Sequence, residues 1–386
     1  MKPRYLSLDV FRGATVCLMI LVNNPGSWSH IYAPLKHANW HGLTPTDLVF
    51  PFFLFAVGNA MAFVMPRLKE QGDIAFWKKI IKRTLLIFGI GLFLNWYPFI
   101  RWNEGALEWI GWLNPHDPTK GVRIFGVLQR IAVCYFFASV IVYFFKPRVA
   151  YFISLLLLLL YWVICVIGNP SDPFSLEGWI GNSIDQAILH IPHMYKGEGV
   201  PFDPEGLLST IPAITEVIFG YFVGMYIKSN AVSTEQNVIY KMLSGLMVAG
   251  VALLLGGYCW DLVFPINKKI WTSSYVLCTV GMAIFALAIM IWFIEIKNYK
   301  GFPIRFFEVF GKNPLFIFAL SAFLPKTAGL FKTEEGITFW NFLYRKLFIH
   351  IPGDPKLGSL AYALCVIIFM WAIGWWLNKK KIYIKV

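Results

Sequence analysis

An all-α, polytopic membrane bundle of about ten transmembrane helices is the fold class this sequence predicts, and three observations predict it. Of 386 residues, 58% are hydrophobic and only 14% charged, and the mean hydropathy is +0.60; chains that fold in water do not reach such values. The apolar residues gather in runs about twenty long, enough for an α-helix to cross a hydrocarbon core about 30 Å thick. The Lys and Arg residues, which give a formal net charge of +13, sit in short segments between those runs. That is the positive-inside pattern of a membrane protein, and it argues against a nucleic-acid partner.

The runs fall roughly at 8–24, 47–65, 84–99, 124–145, 149–168, 207–227, 238–258, 272–294, 303–324 and 359–378. The first follows basic residues, as a signal peptide would. However, Asp9 and Arg12 interrupt it and no small-residue cleavage site follows, so it reads as an uncleaved span. A further segment, ITFWNFLYRKLFIHI at 337–351, holds Arg345 and Lys346 and suits an interfacial helix. Ten spans put both termini on one side. With the N-terminus inside, the inner segments (MKPR, 66–83, 146–148, 228–241, 296–305 and 378–386) carry Lys and Arg at roughly three times the density of the outer loops. The expectation is therefore an N-in, C-in bundle, one domain over 1–386, in a bacterial inner membrane.

That orientation puts all seven histidines (His30, His37, His41, His116, His190, His193 and His350) at or beyond the outer face, so any histidine proton chemistry belongs there. The outer loops are long, about 14 to 38 residues, and rich in Trp, Gly and Pro. They read as ordered or re-entrant elements over a cavity, although interfacial Trp also serves as belt anchoring. The six cysteines fall in or beside apolar runs without CxxC or metal-ligand spacing, so they read as small buried residues. No fixed-period repeat is visible.

Polar groups inside apolar runs are costly and mark functional or structural sites. Asp9 and Arg12 are three apart on one face of the first span, the spacing of a mutually neutralising pair. Gln129 and Arg130 lie in the fourth span, Glu216 in the sixth, and Lys312 with Asn313 in the ninth. In FGKNPLF, Gly and Pro break the helix and free backbone amides suited to an anion; a simple kink is the alternative. MILVNNPGSW ends the first span with Asn23 and Asn24, and FDPEGLLSTIPAI opens the sixth with Asp203 and Glu205. In the latter, Asp203 or Ser209 also suits a helix cap.

The stretch KHANWHGLTPTDLVFPFFLF (36–55) sets His37, Trp40, His41 and Asp47 at the mouth of the second span, on the loop from Asn23 and Asn24. His37 and His41 are four apart, as helical metal ligands are, but no third ligand is evident and no metal is expected. A base beside a carboxamide points instead to acyl transfer, where one group takes the acceptor's proton and another stabilises the oxyanion.

At these residues the chain resembles the heparan-α-glucosaminide N-acetyltransferase family. The likeness runs through SLDVFRG, MILVNNPG, KHANWHGLTPTDLVFPFFLFAVGNAM, GVLQRIAVCYF, FDPEGLLSTIPAI, NKKIWTSSYV and FGKNPLF, in order over nearly the whole chain. The resemblance implies a homodimeric enzyme of ten or eleven spans that carries acetyl from cytosolic acetyl-CoA to the amine of a terminal glucosamine across the membrane. It also implies His37 and Asn23 as the essential histidine and asparagine. The family's luminal N-terminal domain and leading span are expected to be missing, as in a bacterial-type member.

On this expectation Trp40, Asn24, Asp47, Asp203 and Glu205 bind the acceptor or orient the imidazole. Arg12, Gln129, Arg130, Lys312 and Asn313 hold the donor, with inner-face lysines and arginines on the CoA phosphates. Partners are acetyl-CoA, an amino-sugar or glycan acceptor and membrane lipid. Two other readings stay open: an O-acyltransferase of envelope polysaccharide or lipid, and a transporter of anions or glycolipids with Arg12, Arg130 and Lys312 along its path. An amine, readily freed of its proton, asks less of the base than a hydroxyl does, which favours the N-acetyl reading.

Overall fold

The computed structural model describes residues 5–103, 105–230, 236–333 and 336–384. The basic N-terminal MKPR, the middle of the 228–241 segment and the last two residues of the C-terminal tail, all assigned to the inner face, lie outside them. The chain is an all-α membrane bundle. Among the described residues thirteen α-helices run in order: α1 (Leu6–Asn23), α2 (Val49–Gln71), α3 (Asp73–Trp96), α4 (Val127–Phe144), α5 (Pro147–Gly168), α6 (Ile180–Leu189), α7 (Thr210–Asn230), α8 (Gln236–Asp261), α9 (Ser273–Ile291), α10 (Phe302–Lys312), α11 (Pro314–Ala328), α12 (Phe339–Leu347) and α13 (Pro355–Lys379).

Eight of these helices are long and apolar enough to cross a membrane, and the α10–α11 pair makes up to nine. The expected span at 303–324 is therefore not one straight helix: it bends by 82° at Asn313. Pro314 explains the break, because the residue before a proline is driven out of the helical region. The remaining expected span belongs to α3. Its 24 residues are long enough, but Lys78, Lys79, Lys82 and Arg83 fill its first half, leaving only the second half apolar. The 337–351 segment forms α12, nine residues capped by the Thr338 hydroxyl, which is too short to span.

Burial ranks the helices by position. In α7 and α2, 72% and 67% of the apolar window is buried, against 28% for α5 and 22% for α8. The centre is thus α2 and α7, with α1, α4 and α9 around them and α5 and α8 on the rim. In lipid no hydrophobic gain drives helices together, so close backbone approach through small residues takes its place. A Cβ on Gly58 of α2 would stand 2.0 Å from the Val217 carbonyl, and one on Gly220 of α7 would stand 2.2 Å from that of Phe55. Each glycine admits the other helix's backbone.

Two small antiparallel hairpins order the 99–123 loop: β1 (Ile100–Asn103) with β2 (Ala106–Trp109), and β3 (Leu113–Asn114) with β4 (Asp117–Gly121). The sequence predicts order there but not strands. The strand segments are only two to five residues long, too short for a period-2 signal.

Replacing Gly220 by Leu should force α2 and α7 apart, costing about 1–3 kcal/mol by overpacking. A Gly89→Leu control places its side chain where no atom lies within 4 Å. Melting temperatures in detergent check this: only the Gly220 variant should fall, and equal temperatures would refute the close contact.

Candidate active site

The 36–48 loop folds around one carboxylate. Asp47 sits in a short 3-10 turn (Pro45–Leu48) that Thr44 caps, with Pro45 at its first position. Its Oδ2 accepts the backbone N–H of Thr44 at 3.0 Å and of Ala38 at 3.1 Å, with the Thr44 hydroxyl at 2.9 Å. Its Oδ1 lies 2.7 Å from His37 Nδ1. From the opposite side Tyr275 of α9 donates its hydroxyl to the Asp47 carbonyl at 2.6 Å. Asp47 is 1% exposed while the His37 side chain is 45% exposed. An ionised carboxylate only accepts, so Nδ1 carries the proton and Nε2 keeps a lone pair. The arrangement holds His37 in one tautomer with its side chain partly exposed.

A second loop, between α8 and α9, meets this one. Asn267 orders it: its Oδ1 accepts the backbone N–H of Lys269 at 2.7 Å and of Ile270 at 3.1 Å, and its own N–H reaches the Thr272 hydroxyl at 3.0 Å. Gly42 donates to the Ile266 carbonyl at 2.8 Å, and Asn267 Nδ2 lies 3.3 Å from His41 Nδ1. Burial lowers the His41 pKa against the opposing charge of Asp261. The turn presents Lys268, whose Nζ lies 3.0 Å from His37 Nδ1, 3.3 Å from Nε2 and 3.8 Å from Asp47 Oδ1. Burial lowers the Lys268 pKa, while Asp47 and Glu205 oppose the shift.

Asp203 and Glu205 stand beside this centre as one acidic pair clamped by Arg123. The guanidinium reaches Asp203 at 2.6 and 3.0 Å and Glu205 at 2.5 Å, and stacks over Tyr195. The bidentate geometry holds Arg123 protonated well above its usual range: burial works against the charge, and Glu205 and Asp203 outweigh it. Arg130 is fully buried beneath them. Its Nη2 donates to the Gly206 carbonyl at 3.2 Å and to the Ser209 hydroxyl, its face lies 5.0 Å from the Trp271 ring, and its Nε and Nη1 have no protein partner. Nearby, Asp185 accepts the Leu207 N–H at 2.8 Å with Oδ1 while Oδ2 has no partner. Burial, aided by Asp203, pushes its pKa up to about 7.

Trp40 turns outward into an open cleft of about 480 Å³ lined also by Asn39, His41, Asp172, Phe174 and Glu198. Its indole N–H is held by the Phe174 carbonyl at 2.8 Å, which fixes the ring as a wall. At the other end of α1 and α2, a cavity of about 260 Å³ is lined by Tyr5, Asp9, Arg12 and Asn59. Arg12 bonds Asp9 at 2.7 Å and the Gly311 carbonyl at 2.5 and 3.1 Å. Both polar atoms of the buried Asn59 carboxamide have no protein partner.

The sequence-predicted residues therefore separate into groups. His37, Asp47, Asp203 and Glu205 cluster around Lys268, and Arg130 lies beneath them. Asn23 is the exposed last residue of α1, and no hydrogen bond among the described residues joins it to His37; Asn24 is buried and donates to the Ile20 carbonyl. Of the five residues expected to hold the donor, Arg12 alone lines the inner cavity. Gln129 packs against Gly91 of α3. Lys312 pairs with Glu308 at 2.9 Å, and Asn313 spends both ends of its carboxamide on the backbone of Ile382 and Ile384. Sequence reasoning missed Lys268, Arg123 and Asp185. Lysines 268 and 269 side by side in an outer segment run against the positive-inside rule, and that was the available signal. Among the described residues no three His, Cys, Asp or Glu side chains converge as a metal site would require.

Comparison with known proteins follows the same lines. The family model described as heparan-α-glucosaminide N-acetyltransferase, catalytic, matches residues 4–255. The human protein named heparan-α-glucosaminide N-acetyltransferase is 28% identical over 353 residues, covering 78% of this chain and 51% of its own length. The mouse protein of that name is 26% identical over 351 residues with the same coverage. The chain thus spans about half the length of the curated relatives it matches.

Asp185 generates a pH prediction. Its folded pKa of about 7 lies above the ordinary carboxylate value, so the stability it contributes is complete below about pH 4 and lost as pH rises through 7. An Asp185→Asn variant, which does not titrate, should melt progressively higher relative to the parent as pH goes from 5 to 8. Parallel melting curves at both ends of that range would contradict it.

Proposed function

Because the chain belongs to the heparan-α-glucosaminide N-acetyltransferase family, we propose that it transfers acetyl from acetyl-CoA on the cytosolic side to the amine of a glucosamine-type sugar on the extracytoplasmic side. The observation that carries this reading is the His37–Asp47 pair at 2.7 Å, which fixes Nδ1 as a donor and leaves Nε2, with Lys268 Nζ at 3.3 Å, as the basic nitrogen. In the reaction, His37 Nε2 takes the proton of the attacking amine and delivers it to the departing thiolate. Asp47 holds the tautomer and stabilises the imidazolium that forms between those steps. The Asn23 carboxamide donates to the thioester carbonyl as charge develops on its oxygen.

The outer cleft suits the acceptor. Trp40 and Phe174 offer apolar walls to a sugar ring, and Asp172 offers a carboxylate to an ammonium, Glu198 being paired with Lys269. The acidic pair of Asp203 and Glu205 serves this reading through Arg123, by building the floor under the histidine loop, rather than by gripping the sugar directly. On the inner side, the cavity around Arg12 and Asn59 suits the pantetheine arm, whose amides match the two unpartnered atoms of Asn59. Lys297, Lys300 and Arg305 follow Glu295, whose carboxylate accepts the Ser7 N–H of α1 at 3.0 Å, and offer cations for the CoA phosphates.

Labelled acetyl-CoA incubated with the purified protein and a panel of amino sugars should yield an N-acetyl product identified by mass. His37→Ala should abolish transfer while acetyl-CoA still raises the melting temperature. Asp47→Asn, which disturbs the tautomer, should lower kcat by about 10²–10⁴-fold. Full turnover by the His37 variant would overturn the assignment of the base, and a product formed only on sugars lacking an amine would redirect the reading to O-acetylation.

A further inference from the structure

We propose that Lys268 is a catalytic residue of this site, the cation that binds the acetyl oxygen as it becomes an oxyanion. The proposal rests on the acetyl-transfer reading above and adds to it a charge that the His37, Asp47 and Asn23 set lacks.

The placement of Lys268 is not that of an ordinary salt-bridged lysine. Its neighbour Lys269 shows what such a lysine does here: it pairs with Glu198 at 2.5 Å and with the Asn39 carbonyl at 2.8 Å. Lys268 instead points its ammonium at the imidazole, 3.0 and 3.3 Å from the two ring nitrogens, with the Asp47 carboxylate farther off at 3.8 Å. Both Asp47 oxygens are already occupied by His37, Ala38 and Thr44. An ammonium whose side chain is only 19% exposed, 3.8 Å from a carboxylate already shared with His37, Ala38 and Thr44, keeps N–H capacity for an anion. Of the other cations nearby, Arg123 is committed to Asp203 and Glu205, and Arg130, although its Nε and Nη1 have no protein partner, is fully buried with Nη2 on Gly206 and Ser209, away from the exposed imidazole.

The reaction supplies that anion. The amine lone pair forms the new N–C bond, the carbonyl π pair moves onto oxygen, and His37 Nε2 takes the amine proton. Collapse of the oxyanion then breaks the C–S bond, the thiolate leaves with the bonding pair, and the imidazolium returns the proton to sulfur. An amine hydrogen-bonded to Nε2 puts the attacked carbonyl one bond further on. A cation about 3 Å from the same nitrogen is then within reach of the oxyanion, whereas it carries only a weak interaction with the uncharged thioester. That difference between ground state and transition state is what accelerates a reaction. The Asn267 turn and the Gly42–Ile266 bond hold the ammonium in register with the histidine loop.

The test uses the purified full-length protein with acetyl-CoA and, as acceptors, glucosamine and hydroxylamine. Lys268→Met and Lys268→Gln should lose about 10²–10³-fold in kcat, with KM changed less than about threefold and the thermal shift caused by acetyl-CoA intact. Lys268→Arg should recover part of the loss, because it keeps the charge. Turnover by either neutral variant within about threefold of the parent would overturn the proposal. So would an Arg variant as inactive as Met with all three melting well below the parent, since that pattern belongs to a loop support. His37→Ala runs alongside: an active His37 variant sinks the base assignment while leaving the Lys268 series readable. A parent that transfers to neither acceptor sinks the acetyl-transfer reading and this proposal together.

Discussion

The carboxylate of Asp47 gathers its whole neighbourhood. It is buried at the mouth of α2 and accepts from His37, from two backbone N–H groups and from the Thr44 hydroxyl, while Tyr275 of α9 donates to its carbonyl. A charge in that position is tolerated because both carboxylate oxygens accept from donors, His37 on Oδ1 and Ala38 and Thr44 on Oδ2. Those same donors are what close the 36–48 loop, so the loop's shape and the imidazole's tautomer are consequences of one solvation requirement. Without the carboxylate, the loop loses its internal anchor and His37 loses its orientation together.

Membrane burial makes the remaining polar groups equally telling. The backbone contact between α2 and α7 through Gly58 and Gly220 brings the central helices into close approach. Inside that frame stand Arg130 with two unpartnered donors, Glu216 with one unpartnered oxygen and Asn59 with neither amide atom satisfied. Such groups cost the fold free energy unless something else meets them. They lie on α2 and α7 at the centre of the bundle and on α4 beside them.

The charges at the outer end divide by role. Arg123 and Lys269 are consumed in short ion pairs with Asp203, Glu205 and Glu198, and these pairs fasten the 198–206 segment to its neighbours. Lys268 instead turns its ammonium toward the His37 ring. Two adjacent lysines thus do different things because the Asn267 turn points them apart.

Hydropathy and charge spacing made the all-α membrane fold legible, since lipid imposes helix length and composition directly on the chain. The break at Asn313 was legible for a similar reason, as proline acts on its own predecessor. The His37 and Asp47 pairing was half legible: both residues lay in one short polar stretch, but their contact depends on a loop closing. What only the tertiary structure decided is which distant groups arrive there. Lys268 follows His37 by 231 positions and Arg123 precedes Asp203 by 80, separations across which local sequence exerts no force. Helix packing and the satisfaction of buried charge bring them together, and those are properties of the assembled bundle alone.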